Sequence, residues 1–192
     1  MLHSIDYLLT PTNIVLNMAL YGADVEIGIH TLLCLLRTTQ PVSSHELATY
    51  QGLSPTHVAK VLGRLQQAGV VASSPGKTGG YLLARSAAEI SLTDVVDAIE
   101  GPKPLFACRD IRFRCELLAG DIPEWATCSM CAVNSAMKRA ESAMRDVLAK
   151  TTLRQLGEEF VRKAPPEFLQ RASGWFVEHR EQRVSSGRPS EP

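Results

Sequence analysis

The apolar positions of this 192-residue chain change period along its length, and each change marks an element. Over 25–36 the run V-E-I-G-I-H-T-L-L-C-L-L is apolar on almost every side, which predicts a largely buried helix. Pro41-Val42-Ser43-Ser44 leads into Glu46-Leu47-Ala48, a short second helix with serine capping chemistry. Gly52 makes the turn, and Ser54 caps a third helix beginning at Pro55, the favoured first helical position. There Val58, Val61, Leu62 and Leu65 recur at spacings of three and four, and Gly69 ends the helix. Strand-like runs over 70–73 and 81–84 flank a Pro-Gly-Lys-Thr-Gly-Gly loop and predict a β-hairpin. A capped helix follows over 90–100 and stops at Gly101-Pro102.

Residues 103–131 read as a loop, and 132–150 as a long helix. On that helix Val133, Ala136, Met137, Ala140, Met144, Val147 and Leu148 share one face. A small domain leaves such a face uncovered, so a dimer helix is expected; packing on its own domain is the plainer alternative. Past Pro165-Pro166 the sequence predicts a short helix containing Trp175 and Phe176, then a disordered tail over 185–192. The fold class is therefore mainly α with a small β-hairpin wing: a winged helix-turn-helix plus a long C-terminal dimerisation helix. The expected divisions are 1–21, a weakly patterned extension in which Met18 is an alternative start, and 22–102, the DNA-binding domain. A cysteine-bearing loop (103–131), a dimerisation helix (132–156) and a C-terminal helix with its tail (157–192) complete the chain.

Composition narrows the function classes only a little. Apolar residues make up 45% and charged residues 21%, ordinary for a soluble globular chain. The formal net charge is zero, so no global field advertises nucleic acid. Between residues 41 and 85, however, Lys60, Arg64, Lys77 and Arg85 face one acid, Glu46. That local positive surface suffices for phosphate contact and predicts modest non-specific affinity. No run reaches the roughly 18 apolar residues of a membrane span. Nor does the N-terminus carry the basic region of a signal peptide, so a reducing cytoplasm is the expected setting.

A helix-turn-helix presents the first turn of its second helix to the major groove. Ser54, Thr56, His57 and Lys60 are the outward polar positions there, with Lys60 and Arg64 suited to phosphate. The wing's glycines allow a tight tip and close approach to the DNA backbone, with Lys77 and Thr78 as contacts. A nucleotide-binding loop is excluded. Its first glycine is replaced by Val71, and the loop lies between strands rather than before a helix. Nucleophile elbows and paired catalytic carboxylates are also missing, so an enzyme is not expected.

Four of the five cysteines, Cys108, Cys115, Cys128 and Cys131, fall in one window, unlike a disulfide framework. Their spacing is not the paired arrangement of a zinc ribbon, but clustered soft ligands suit an iron–sulfur cluster. Arg109, Arg112 and Arg114 between them raise the local positive potential, which favours thiolates; a solvated basic face is the alternative. Cys34, inside Leu-Leu-Cys-Leu-Leu, reads as a core residue, and Cys128 as a spare thiol or an alternate ligand.

In order, E-L-A-T-Y-Q-G-L-S-P-T-H-V-A-K, L-Q-Q-A-G-V-V, G-K-T-G-G-Y-L-L-A-R, I-S-L-T-D-V-V-D-A-I-E-G and C-R-D-I-R-F-R-C resemble one family over roughly 22–156. It is the winged-helix regulator family that includes IscR, NsrR and RsrR. The resemblance implies a homodimer on double-stranded promoter DNA, with an iron–sulfur cluster, 2Fe–2S or 4Fe–4S, controlling operator binding. It also implies that the third thiolate ligand precedes the long helix. Counting back from Thr152-Leu153 favours Cys131 over Cys128. Asn134 stands where one relative has a histidine ligand, and asparagine is a poor iron ligand. Glu26 and His30, four residues apart on the first helix, resemble the segment from which RsrR supplies a glutamate and a histidine across its dimer. The retained Cys115 equally resembles a three-cysteine site completed by an acidic first-helix residue, as in NsrR, and both arrangements fit the residues present.

Pro75 and Ala59 depart from the family's wing and recognition-helix patterns, so an operator sequence does not carry over. The expected function is a transcription regulator, a repressor in type, that senses redox state, nitric oxide or cluster supply. A cluster-free thiol switch and an iron–sulfur assembly or carrier protein are the alternatives.

Overall fold

The computed structural model describes residues 20–118 and 122–186; the expected extension over 1–19 lies outside them. Its helices are α1 (Ala23–Leu35), α2 (Ser44–Gln51), α3 (Pro55–Gln67), α4 (Leu92–Glu100), α5 (Glu124–Thr127), α6 (Ala132–Lys150), α7 (Leu153–Lys163) and α8 (Pro166–Ser186). Strands β1 (Val71–Ser74) and β2 (Gly80–Leu83) form an antiparallel hairpin between α3 and α4. Val71 pairs with Leu83 and Ser74 with Gly80.

The apolar stripe of α3 explains the packing. Val58, Val61, Leu62 and Leu65 are fully buried against Leu32 and Leu35 of α1, Leu47 of α2 and Val95 of α4. Each such side chain contributes about 1.5–3 kcal/mol of burial. Reciprocal capping boxes start α2 (Ser43 with Glu46) and α4 (Ser91 with Asp94). Ser54 occupies the N-cap position of α3 as expected, but its hydroxyl closes no cap hydrogen bond. Pro55 at the first helical position, with its φ already set, favours the start of the helix instead.

The wing glycines serve the protein itself. A Cβ on Gly79 would collide with the backbone of Ser74 and Pro75, closing the turn from inside. Gly80 has φ +142° and would place a Cβ 2.6 Å from the Val42 carbonyl. Val42 and Tyr81 exchange two backbone hydrogen bonds at that point (3.1 and 2.8 Å), so the hairpin is stitched to the entry of α2. Gly80→Ala is expected to lower stability by about 3 kcal/mol through backbone strain and overpacking. Urea unfolding checks this, and a cost below 1 kcal/mol would mean the strand simply shifts away from Val42.

The long helix ends at Lys150 as expected, so the division drawn at 132–156 takes in the start of α7. Thr152 and Gln155 form a third capping box that opens α7, and Leu153 is driven into the core at 1% exposure. No residue of α6 is buried within the chain, and Val133 and Val147 are exposed. It is held to α4 by a two-pronged ion pair from Arg145 to Asp97 (3.1 and 2.6 Å) and by the half-buried Leu148. The helix past Pro165 is 21 residues long rather than short, and it takes in Ser185 and Ser186 of the expected tail. Residues 187–192 lie outside the described residues. Aromatic packing docks α8: Tyr50 of α2 meets Phe176 at 4.7 Å and Trp175 at 5.1 Å between ring centres.

Candidate nucleic-acid interface and thiol loop

The first turn of α3 projects Thr56, His57 and Lys60 to solvent, with Ser54 exposed just before it. Lys77 and Thr78 are exposed at the wing tip. Gln66 of α3 donates to Ser73 of β1 (2.9 Å), which ties the wing to the helix. The α3 N-terminus, with its unpaired amides, adds a partial positive charge to this face.

Two basic positions on α3 are not free. His57 Nε2 lies 2.6 Å from Asp24 Oδ1, and Arg64 donates to Asp24 Oδ2 at 2.9 Å and to the Ile99 carbonyl at 3.3 Å. The hydrogen bond from His57 holds the Asp24 carboxyl below its ordinary range, and the Arg64 charge adds to this. Asp24 stands in the first turn of α1, where an acid also complements the helix dipole. Nothing in the sequence pattern marked it. Its two partners lie 33 and 40 residues away, so only the packing of α1 on α3 brings them together.

The second candidate region is the thiol loop. Cys115 and Cys128 are exposed, and Cys108 and Cys131 are half-buried. Cys131 occupies the N-cap of α6. The amides of Asn134 and Val133 face its sulfur and hold the thiol below its ordinary range, and Arg112 adds to this. None of these amides closes a normal capping hydrogen bond. Arg112 joins the two arms of the loop, bonding the Ser129 carbonyl at 3.1 Å and lying 3.6 Å from Asp110. Asp110 in turn accepts from Cys108 Sγ at 3.7 Å.

Cys34 is different in kind. Burial pushes its thiol up to about 12, so it is an inert core residue, as expected.

Glu26 and His30 are exposed on α1. They line the rim of a cavity of about 1620 Å³ whose apolar wall includes Ile27, Leu33, Phe160 and Phe176. Among the described residues no three His, Cys, Asp or Glu side chains converge as a metal site. The single chain therefore does not gather the cysteines with Glu26 and His30. The described residues also hold no helix long and apolar enough to cross a membrane.

A family profile described as "Rrf2: Iron-dependent Transcriptional regulator" matches residues 21–159. A putative HTH-type transcriptional regulator of Mycobacterium tuberculosis is 36% identical over 112 residues, 58% of this chain. The match spans 63% of that relative's length. Among solved structures, CymR, the global cysteine regulator of B. subtilis, superposes with a TM-score of 0.55 at 25% identity. It covers 74% of this chain and 98% of its own. IscR of T. potens gives 0.56 over 79% of this chain and 96% of its own; at 21% identity it shows the shared fold alone. The fold and the relatives are those of transcriptional regulators, not enzymes. The chain belongs to the Rrf2 family of winged-helix transcriptional regulators.

Proposed function

We propose that the chain is a homodimeric, cytoplasmic DNA-binding regulator whose operator binding is set by an iron–sulfur cluster. Cys108, Cys115 and Cys131 would hold the cluster, with Glu26 and His30 as candidates for the remaining ligand. The carrying observation is Cys131: its thiolate is favoured by the α6 amides, and Arg112 ties its arm of the loop to the Cys108 arm. Soft, accessible thiolates beside a fixed cation are the donor set that suits an anionic cluster. When bound, the cluster supplies a group that changes with redox state or nitric oxide.

Double-stranded promoter DNA would meet Ser54, Thr56, His57 and Lys60 in the major groove. Lys77, Thr78 and Arg64 would serve the phosphates, Arg64 through Nη2 while Nη1 stays on Asp24. Residues 22–102 form the reader in this scheme, 103–131 the sensing loop, and 132–150 the dimer contact that covers Val133 and Val147. A second copy is also the source from which α1 could meet the cysteines. The uncovered α6 supports that dimer, since the chain itself buries none of its residues. Ligand loss would free the loop and α1, shifting the population of recognition-helix orientations.

One observation favours a second reading, a cluster-free thiol switch: no three ligating groups converge among the described residues. The test is an anaerobic ultraviolet–visible spectrum with iron and acid-labile sulfide measured on the same sample, followed by promoter binding with and without the cluster. Charge-transfer bands with matched iron and sulfide, and a change in DNA affinity on cluster loss, are expected. A colourless protein after reconstitution overturns the cluster reading and leaves the thiol switch. Failure to bind any promoter fragment would instead favour an assembly or carrier role.

A further inference from the structure

We propose that Asp24 is the positioning residue for sequence reading, fixing how His57 of α3 faces the major groove. This rests on the DNA-reading role of α3 and not on the cluster. The side chain of His57 is 43% exposed in the first turn of α3, while that of Asp24 behind it is 27% exposed on α1. An ionised carboxylate only accepts hydrogen bonds, so the ring nitrogen facing it, Nε2, must carry a proton. At 2.6 Å this contact holds the imidazole in one orientation and leaves Nδ1 as the nitrogen available to a base edge.

The carboxylate is itself braced. Arg64 binds its other oxygen and reaches on to the last turn of α4 through the Ile99 carbonyl, so three helices fix one imidazole. An unbraced histidine in this position would sample several rotamers and pay for ordering on each encounter, which blurs discrimination between bases. Asp24 thus acts through His57 and touches no base itself. Because Glu26 and His30 lie on the same helix, any displacement of α1 reaches the recognition helix at this contact.

The experiment is selection of bound sequences from random double-stranded DNA, followed by affinity measurements on the selected site and its single-base variants. Wild type, Asp24→Ala, Asp24→Asn and His57→Ala are compared at one salt concentration. One base position is expected to lose its preference in His57→Ala, by roughly tenfold in affinity ratio. Asp24→Ala should lose the same position by a similar factor. Asp24→Asn, whose amide oxygen still accepts from Nε2, should recover most of it. The double variant Asp24→Ala/His57→Ala should be no worse at that position than either single one.

An unchanged selected sequence and discrimination ratio in Asp24→Ala overturn the proposal. So does equal loss in Asp24→Asn and Asp24→Ala, which would mark a charge effect instead of orientation. A wild-type protein that enriches no sequence would sink the DNA-reading role itself, a separable failure.

Discussion

Replacing Cys131 with alanine is expected to remove the visible absorption and bound iron almost completely, while Cys34→Ala leaves both intact. The two thiols sit at opposite chemical extremes. Cys131 is half-buried at the N-cap of α6, where amides and Arg112 favour its thiolate. Cys34 is sealed in the core, its thiol raised to about 12, and it cannot ligate without unfolding α1. Metal binding needs the deprotonated sulfur, so the favoured thiolate gives the stronger ligand at neutral pH. Reconstituted variants, scored by iron, sulfide and spectrum, check the result. The apo protein gives a second readout: under native conditions an alkylating reagent should label Cys131 and spare Cys34. If Cys128→Ala loses the cluster and Cys131→Ala keeps it, the third ligand has been placed three residues too late.

The elements legible in the sequence were those with a local cause. The three- and four-residue spacing of Val58, Val61, Leu62 and Leu65 fixes α3, and the serines before Glu46 and Asp94 fix where α2 and α4 start. The hairpin followed from its glycines, but their reason did not. Gly79 and Gly80 admit Pro75 and Val42 of this chain, a tertiary approach that a sequence window does not contain. The end of α6 at Lys150 was legible, while α7, whose start signal is the Thr152-x-x-Gln155 capping box, was not assigned as a helix of its own. The length of α8 had no such signal. Its sequence lacks a clean amphipathic stripe, and it is held by a few distant contacts onto Tyr50, Gln40 and Glu46. In the candidate DNA face the outward residues were local and legible. The Asp24 contact, which joins positions 33 residues apart, was not.

Glu46→Ala is expected to destabilise the reader by about 3–5 kcal/mol, because it breaks a buried charge pair from its less replaceable side. One carboxylate oxygen of Glu46 accepts from the Ser43 amide and hydroxyl, both at 2.8 Å, and so completes the α2 cap. The other lies 3.4 Å from Arg183 Nε, with both side chains under 10% exposed. Arg183 reaches across to the Gly79 carbonyl at 2.8 Å and the Pro41 carbonyl at 3.3 Å, so it clamps α8 over the base of the wing. Removing the glutamate takes a carboxylate away from a buried guanidinium and leaves the Ser43 amide without its acceptor. Removing the arginine instead leaves Glu46 its two Ser43 bonds, and the end of α8 can lift to admit water to the carboxylate. Arg183→Ala should therefore cost less, about 1–3 kcal/mol. Its larger effect should be on the wing, with faster amide exchange at Gly79 and Gly80. Glu46→Gln, which keeps the cap acceptor but not the charge, should fall between the two. Urea unfolding of the three variants gives the order, and an Arg183→Ala cost equal to or above that of Glu46→Ala would mean that α8 docking, not the α2 cap, holds this corner together.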